Sequence, residues 1–180
     1  MRLQGIRVCY FIEEGFEDLE FWVPVMRLRE EGAQVTVVGT GATQYKGKNA
    51  LTGKADVKAD DVSADDFDTV VIPGGWAPDK LRRYDSVLNI VRRANEQGKI
   101  IGTICHAGWV PISAGIVRGR RATGSRAIKD DLTNAGALWV DEPAFRDGNL
   151  VWGRVVEDIP AFCRELVTAI EEWASQRQPA

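Results

Sequence analysis

The sequence predicts an α/β domain in which helices cover both faces of a mostly parallel β-sheet. Short apolar runs rich in β-branched residues, such as 69–72 and 100–104, have the length of buried strands. Between them lie longer segments whose apolar residues recur every three or four positions, as in amphipathic helices. This alternation is typical of parallel sheets covered on both sides. No linker, internal repeat or low-complexity segment interrupts the 180 residues, so we expect a single domain over 1–180.

The first half of the chain supplies three predicted strands, a long helix and a hairpin. In order they are a strand at 6–12, a helix ending at 31, a strand at 34–39, a small edge hairpin within 40–59 and a strand at 69–72. In the helix, Leu19, Trp22, Val25 and Met26 keep helical spacing, which predicts that they form its apolar face, and Gly32 ends it.

The second half continues the same alternation. In order it contains a helix begun by Asp85 or Ser86 and ended by Gly98, a strand at 100–104, a short helix at 128–135, strands at 138–140 and 150–152, and a closing helix at 159–174. The first of these helices places Val87, Ile90, Val91 and Ala94 on one face.

The composition favours an ordinary soluble protein and excludes several functional classes. Hydrophobic residues make up 44% and charged residues 27%, and the net charge of -3 gives no reason to expect nucleic acid as a partner. No apolar run approaches the roughly 18 residues that a membrane span requires, and no secretory signal is recognisable. Cys9, Cys105 and Cys163 are odd in number and widely spaced, which argues against a disulfide framework and a zinc site. We therefore expect a cytoplasmic protein without a metal or other cofactor.

The most informative stretch is 99–115, where Cys105 stands between an apolar strand and a helix-like run. A residue at that junction must lie on a sharp turn, and the small residues Thr103 and Ala107 leave room for it. This is the pattern of a nucleophile elbow with Cys in place of Ser. The positive partial charge of a helix N-terminus favours the thiolate. The alternative is that Cys105 is a small buried hydrophobic residue that ends a strand.

Three loops are expected to meet around Cys105, because ligands of such sheets lie outside the carboxyl ends of the strands. These loops are 13–18, 73–75 and 105–108. Gly74 and Gly75 in the second loop allow close approach of a ligand to bare backbone N–H groups. Together with the N–H of His106 they are candidate donors to an oxyanion.

The thiol also needs a group that accepts or holds its proton. His106 is the only histidine, but it directly follows Cys105, and adjacent residues on a helix do not face one another. A carboxyl group in the loop after the first strand is the other candidate, and the residues alone do not choose among Glu13, Glu14 and Glu17. Our hypothesis is a protonated Glu17 that donates a hydrogen bond to the thiolate. The alternative is that the acidic residues there only stabilise the helix dipole.

Several segments share both residues and spacing with one known family. They are FEDLE at 16–20, PGG and APD within 73–79, ICH at 104–106, ISAG at 112–115 and IKDDL with NAG within 128–136. From about residue 7 to the last helix the chain resembles the PfpI branch of the ThiJ/PfpI superfamily. The resemblance implies a flavodoxin-like three-layer sandwich with Cys105 as the elbow nucleophile. It also implies Glu17 as the acidic residue that contacts the thiol, and Gly75 and His106 on the oxyanion side.

The resemblance further implies a homo-oligomer, either a dimer or a hexamer. In protease-like members a carboxylate from a neighbouring subunit approaches the histidine, and the matching position here is Asp79. The chain departs from the family around the site, since the usual Cys-His-Gly-Pro reads Cys105-His106-Ala107-Gly108. Such departures concern the cavity walls and therefore the range of substrates.

These observations predict a stress-related, cysteine-dependent hydrolase that uses the Cys105 thiolate. The resemblance implies two versions of the activity, cleavage of peptides and hydrolysis of dicarbonyl adducts as in a deglycase or glyoxalase. One thiol beside one carboxyl group suits small aldehydes better than folded proteins, so a small carbonyl compound or a peptide is the expected partner. The alternative is a non-enzymatic oxidative-stress protein that senses oxidants through Cys105.

Overall fold

The computed structural model describes residues 1–178 and confirms the α/β architecture. In chain order the strands are β1 (Arg7–Phe11), β2 (Gln34–Gly39), β3 (Gln44–Lys46), β4 (Thr52–Lys54), β5 (Val57–Lys58), β6 (Thr69–Ile72), β7 (Ile100–Ile104), β8 (Arg121–Ala122), β9 (Leu138–Trp139), β10 (Ala144–Asp147) and β11 (Leu150–Gly153). A central sheet of seven strands has the order β10-β11-β7-β6-β1-β2-β5. Its neighbouring strands are parallel except β10 and β11, which form an antiparallel hairpin at one edge.

Helices lie on both faces of this sheet. They are α1 (Asp18–Glu30), α2 (Ala77–Leu81), α3 (Asp85–Glu96), α4 (Trp109–Ala114), α5 (Lys129–Asn134) and α6 (Ile159–Ser175). Helices α1 and α6 contact each other on one face, while α3 packs on β6 and β7 from the other and α4 lies beside it. None of the helices within residues 1–178 combines the length and the apolar character that crossing a bilayer requires.

The central strands β1, β6 and β7 are buried along almost their whole length, which explains their nearly unbroken apolar sequences. The register places Tyr10 of β1 beside Val71 of β6, and Val71 beside Gly102 of β7. Glycine at 102 lets α6 approach closely, because a Cβ there would lie 3.0 Å from Leu166 and 3.2 Å from Phe162 of that helix. The closing helix therefore packs directly on the strand that leads to the predicted elbow.

Two peripheral elements differ from the predicted arrangement. Residues 40–59 do contain a hairpin, β3 and β4, but it forms a separate two-stranded sheet, and β5 is the edge strand of the central sheet. Similarly, β9 pairs with β8 outside the central sheet, so the predicted strand at 138–140 does not extend it. Strands this short have weak intrinsic preferences, so their partners depend on the surrounding packing, which the residue pattern does not reveal.

The predicted apolar face of α1 is wrong in part. Val25 is buried as expected, but Leu19 is 45% and Met26 is 60% exposed. The side of the helix that faces the sheet carries Phe21, Val25 and Leu28 instead. These three residues also keep helical spacing, so periodicity alone does not decide between the two apolar stripes of this helix.

Shortening Leu28 is therefore expected to destabilise the fold far more than shortening Met26. Leu28 is 1% exposed, so Leu28→Ala removes buried methyl groups and leaves a cavity at a cost of about 2–5 kcal/mol. Met26→Ala changes an exposed side chain and should alter the free energy of unfolding by about 0.5 kcal/mol or less. Urea denaturation followed by circular dichroism measures both. Equal losses in the two variants would contradict the assignment of the buried stripe.

Candidate active site

The three loops predicted to converge do meet at one edge of the sheet. Strands β7, β6 and β1 are adjacent, so the loops that follow them are neighbours. The N–H of Glu17 donates to the carbonyl of Gly74 at 3.1 Å, and the N–H of Trp76 donates to the carbonyl of Gly15 at 2.8 Å. The loops border a cavity of about 450 Å³. Its lining residues are Glu17, Glu20, Lys48, Gly75, Trp76, Asp79, Cys105, His106, Trp109, Val155, Val156 and Glu157.

Cys105 has a strained backbone at the sharp turn after β7. Its φ of 61° lies in the left-handed region, and within residues 1–178 it is the only residue other than glycine with a positive φ. A 3₁₀ turn over Cys105–Gly108 follows and leads into α4. A Cβ at Gly74 would lie 2.8 Å from the Cβ of Cys105, and one at Gly124 would lie 2.5 Å from its carbonyl oxygen. Bare backbone at both positions therefore makes room for the turn, and the Cys105 side chain faces the cavity.

The His106 ring lies beside the sulfur, contrary to the expectation for adjacent residues on a helix. Its Nδ1 is 3.3 Å from Sγ of Cys105, because the positive φ and the 3₁₀ turn bring both side chains to the same side. The ring packs edge-on against Trp109, with ring centroids 5.2 Å apart. Burial lowers the pKa of His106, and the positive charge of Lys48 lowers it further. A neutral imidazole beside a thiol can accept its proton.

The carboxyl group that lies against the thiol belongs to Glu20. Glu20 is fully buried and interacts with the Cys105 thiol by charge and by hydrogen bonding. Its Oε1 accepts the N–H of Gly74 at 3.0 Å, whereas Oε2 makes no hydrogen bond of regular geometry within residues 1–178. Burial raises the pKa of Glu20 to about 8, and the charge of Glu17 adds to the rise. The carboxyl group therefore holds its proton at neutral pH.

Glu17 caps helix α1 instead of contacting the thiol, which corrects the predicted contact. Its Oε2 accepts two backbone N–H groups of the first helical turn at 2.8 and 2.9 Å. The carboxylate is thus turned toward its own helix, which agrees with the alternative that the acidic residues here stabilise the helix dipole. Glu17 still lines the cavity. Glu13 and Glu14 accept hydrogen bonds from the segment 40–46.

The backbone carbonyl of Glu20 is bonded by a side chain from β1 and not by its own helix. Pro24 lies inside α1 and has no N–H, so the Glu20 carbonyl lacks its regular helical donor. The buried Tyr10 hydroxyl replaces that donor and donates to the Glu20 carbonyl at 2.6 Å. Because Tyr10 belongs to β1, the strand and the helical turn that carries Glu20 are joined directly.

Glu20 and Cys105 titrate as a pair. Burial raises the pKa of the Cys105 thiol to about 12, and the Glu20 charge contributes, while the N–H of His106 and the Lys48 ammonium act in the opposite direction. Two negative charges in contact at a buried site are costly, so the pair carries at most one charge at neutral pH. In the singly ionised form, either the Glu20 carboxylate accepts a hydrogen bond from the thiol or the thiolate accepts one from the carboxylic acid.

The backbone donors predicted for an oxyanion are only partly available. The Gly74 N–H is already bonded to Glu20, which corrects its predicted role. Gly75 lines the cavity with a φ of 76°, and its N–H has no acceptor within residues 1–178. A Cβ at Gly75 would lie 2.4 Å from the backbone nitrogen of Glu17, so only glycine fits there. The backbone N–H of His106 donates a hydrogen bond to the Cys105 sulfur.

Asp79 lines the same cavity from α2, and its carboxylate pairs with Arg83 one helical turn further on. The approach of Asp79 from a neighbouring subunit to His106 stays a prediction. Within residues 1–178, no group of three or more His, Cys, Asp or Glu side chains is arranged to hold a metal ion.

The model of the DJ-1/PfpI family matches residues 6–169. The chain belongs to the DJ-1/PfpI family. It is 38% identical over 166 residues to a deglycase of Pyrococcus horikoshii, and the match covers 92% of this chain and 100% of that protein. It is 36% identical over 172 residues to general stress protein 18 of Bacillus subtilis, and the match covers 93% of this chain and 99% of that protein.

Among solved structures, a two-domain protein of Anabaena variabilis with DJ-1/ThiJ/PfpI-like and ferritin-like domains superposes with a TM-score of 0.88 at 40% identity. The match covers 90% of this chain and 49% of that one. The resemblance inferred from the motifs is therefore confirmed.

Among the cavity residues that sequence reasoning missed in this DJ-1/PfpI chain, Glu20 and Lys48 are the two whose charges act on the Cys105 thiol. A signal for Glu20 exists, since it precedes Pro24 by four residues and Phe21 by one, and both of those lie on the buried side of α1. A carboxyl group at such a position has to be neutral or paired. Lys48 had no comparable signal, because it lies in a polar turn between two short strands.

Replacing Glu20 with Gln is expected to flatten the pH dependence of stability. The folded protein keeps the Glu20 proton up to about pH 8, whereas the unfolded chain releases it near pH 4.5. The folded state therefore binds more protons in this window, and the free energy of unfolding falls as the pH rises through it. Relative to Glu20→Gln, the wild type should lose on the order of 3–5 kcal/mol between pH 5 and pH 8. Urea titrations of both proteins at four pH values measure this difference.

The matched control is Glu17→Gln, which loses a helix cap but retains Glu20. It should be less stable than the wild type by about 1 kcal/mol. Its free energy of unfolding should still decrease between pH 5 and pH 8, by less than in the wild type, because the Glu17 charge contributes to the raised pKa of Glu20. If the free energy of unfolding depended on pH in the same way in the wild type and in Glu20→Gln, Glu20 would be ionised in the folded protein.

Proposed function

We propose that this chain is a cysteine-dependent hydrolase of small carbonyl compounds, with the Cys105 thiolate as nucleophile. The surroundings of the sulfur carry the proposal: Nδ1 of His106 lies 3.3 Å away and the Glu20 carboxyl group lies against it. A neutral imidazole beside a thiol can take up its proton, and a carboxylic acid there can protonate the oxygen of an adduct. The unused N–H of Gly75, at the same cavity, supports the proposal as a donor to a developing oxyanion.

For a 2-oxoaldehyde the proposed steps balance with water as the only co-reactant. The thiolate adds to the aldehyde carbon, the C–S bond forms, and the resulting alkoxide receives the Glu20 proton. The Glu20 carboxylate then moves the proton on this carbon to the neighbouring one, and the proton of the new hydroxyl passes to the former ketone oxygen, which gives the thioester of a 2-hydroxy acid. Water cleaves the C–S bond, releases the acid and restores the thiol. One carbon is oxidised as its neighbour is reduced, so no outside oxidant is required.

The size of the cavity favours small carbonyl compounds and their adducts with amines over folded proteins. A volume of about 450 Å³ lies in the range of small-molecule sites. The 38% identity to a protein named deglycase supports dicarbonyl adducts as a substrate class. Peptide cleavage is the competing version of the same thiol chemistry.

Purified protein is expected to convert methylglyoxal to lactate, and Cys105→Ser is expected to abolish the conversion. A serine hydroxyl at this position is not ionised by the same neighbours, so the rate should fall by at least about a thousandfold. Lactate formation, measured by chromatography, reports the turnover.

Cys163→Ser is the control, because Cys163 is a buried thiol on α6 outside the cavity and its loss should leave the turnover unchanged. Turnover that survives in Cys105→Ser would overturn the proposal. Short peptides incubated with the same variants test the competing version, and cleavage of peptides without lactate formation would replace the carbonyl substrate.

A second candidate function is oxidation sensing by the same thiol. Cys105 is partly exposed, whereas Cys9 and Cys163 are buried, so a peroxide reaches Cys105 first. In this reaction the thiolate takes up one oxygen atom as sulfenic acid while the peroxide is reduced to water. The 36% identity to a protein named general stress protein 18 supports a role of this kind.

Brief exposure to dilute hydrogen peroxide is expected to oxidise Cys105 at least about tenfold faster than Cys9 or Cys163. Peptide mapping by mass spectrometry gives the three rates in one sample. Similar oxidation rates at all three cysteines would contradict a sensing role, and so would a slower rate at Cys105 than at Cys9 and Cys163.

A further inference from the structure

Lys48 brings a positive charge to the cavity from an element that is not part of the central sheet. It lies in the turn between β3 and β4 and lines the cavity together with Cys105 and Glu20. Its side chain makes no hydrogen bond and no ion pair with any other residue of the range 1–178. Among the cavity-lining residues it is the only lysine or arginine.

The turn that carries Lys48 is anchored to the first turn of α1. The buried Asp18 carboxylate accepts the backbone N–H groups of Asn49, Ala50 and Leu51 at 3.0, 2.9 and 2.8 Å. These three hydrogen bonds outweigh the effect of burial and lower the pKa of Asp18, so the anchor stays charged. The N–H of Lys48 donates to the carbonyl of Phe16 at 2.8 Å.

Lys48 is therefore held at the cavity without a partner of its own. In a hairpin turn without such contacts the backbone around the lysine would be in solvent. Here the five residues 47–51 all have backbone groups bonded to the start of the helix or to each other. An adaptable side chain on a fixed backbone is suited to respond to a charge that appears inside the cavity.

We propose that Lys48 is a positioning residue that stabilises the negative charge of the Cys105 thiolate and of the oxyanion formed from the substrate. The inference rests on the proposed function and adds a residue to it. The other charged and titratable groups that line the cavity with Cys105 are Glu17 at the N-cap of α1, Glu20 on α1, Asp79 on α2, His106 beside the thiol and Glu157 before α6.

Lys48 opposes an otherwise acidic surrounding. Asp79 is paired with Arg83, Glu17 caps α1 and Glu20 is protonated at neutral pH. Glu157 is therefore the remaining carboxyl group at the cavity, and it has no ion pair within residues 1–178. The positive charge of Lys48 lowers the pKa of Cys105 and of Glu20, so it favours the singly ionised pair. Without it, the first proton of the pair would leave at a higher pH.

The test is the pH dependence of Cys105 alkylation by iodoacetamide, a neutral reagent whose reaction requires the thiolate but no turnover. Lys48→Met is expected to slow alkylation at pH 7 by about threefold to tenfold and to move the midpoint of the pH profile upward by about 0.5–1 pH unit. Lys48→Arg should restore the wild-type profile. Cys105→Ser gives the background from Cys9 and Cys163.

The matched control is Lys46→Met, which removes an equal charge two residues away on β3, where the side chain does not line the cavity. It should follow the wild-type profile. The proposal is overturned if Lys48→Met matches the wild type, if Lys46→Met shifts the profile as much, or if Lys48→Arg fails to restore it. Absence of methylglyoxal turnover would leave these profiles unaffected, so a failure of the proposed function is distinguishable.

Discussion

The proton shared by Glu20 and Cys105 is the interaction on which the candidate site depends. A buried carboxyl group and a thiol in contact tolerate only one negative charge between them, so both must be held closely in place. The Gly74 N–H after β6 bonds the Glu20 carboxyl group, and the Tyr10 hydroxyl on β1 bonds the Glu20 carbonyl. Cys105 itself follows β7. Three adjacent strands therefore set the distance between the two groups, which makes the geometry a property of the sheet and not of one loop.

The strained turn at Cys105 depends on the same neighbours. A left-handed conformation at a residue other than glycine costs of order 1–3 kcal/mol and persists only where the surroundings enforce it. Here the Cys105 carbonyl accepts the N–H of Ser125 at 3.1 Å, and the bare backbones of Gly74 and Gly124 close around it. A side chain at Gly74 would also come within 2.3 Å of Oε1 of Glu20. One glycine thus makes both the turn and the placement of the carboxyl group possible.

The fold class and the meeting of the three loops could be predicted, because buried strands and their ends leave a strong pattern in the residues. The identity of the acid at the thiol is marked only by the spacing of Glu20 from Phe21 and Pro24, since Glu17 and Glu20 lie one helical turn apart and the start of α1 decides which one points inward. The prediction that His106 does not face Cys105 was wrong for a different reason. Adjacent residues diverge on a regular helix, and no feature of the sequence marks a positive φ at a cysteine.

The first turn of α1 explains how the hairpin and the sheet act on one sulfur. The three acidic residues at the start of this helix have different contacts: Glu17 caps the helix, Asp18 bonds the turn that carries Lys48, and Glu20 contacts the thiol. Burial and the Glu20 charge raise the pKa of Cys105, whereas Lys48 lowers it. Both influences are tied to the same helical turn, so a shift of that turn would move the acid and the cation together. The reactivity of the thiol is thereby coupled to the packing of α1 on the sheet, through the Tyr10 hydroxyl that occupies the place of the N–H missing at Pro24.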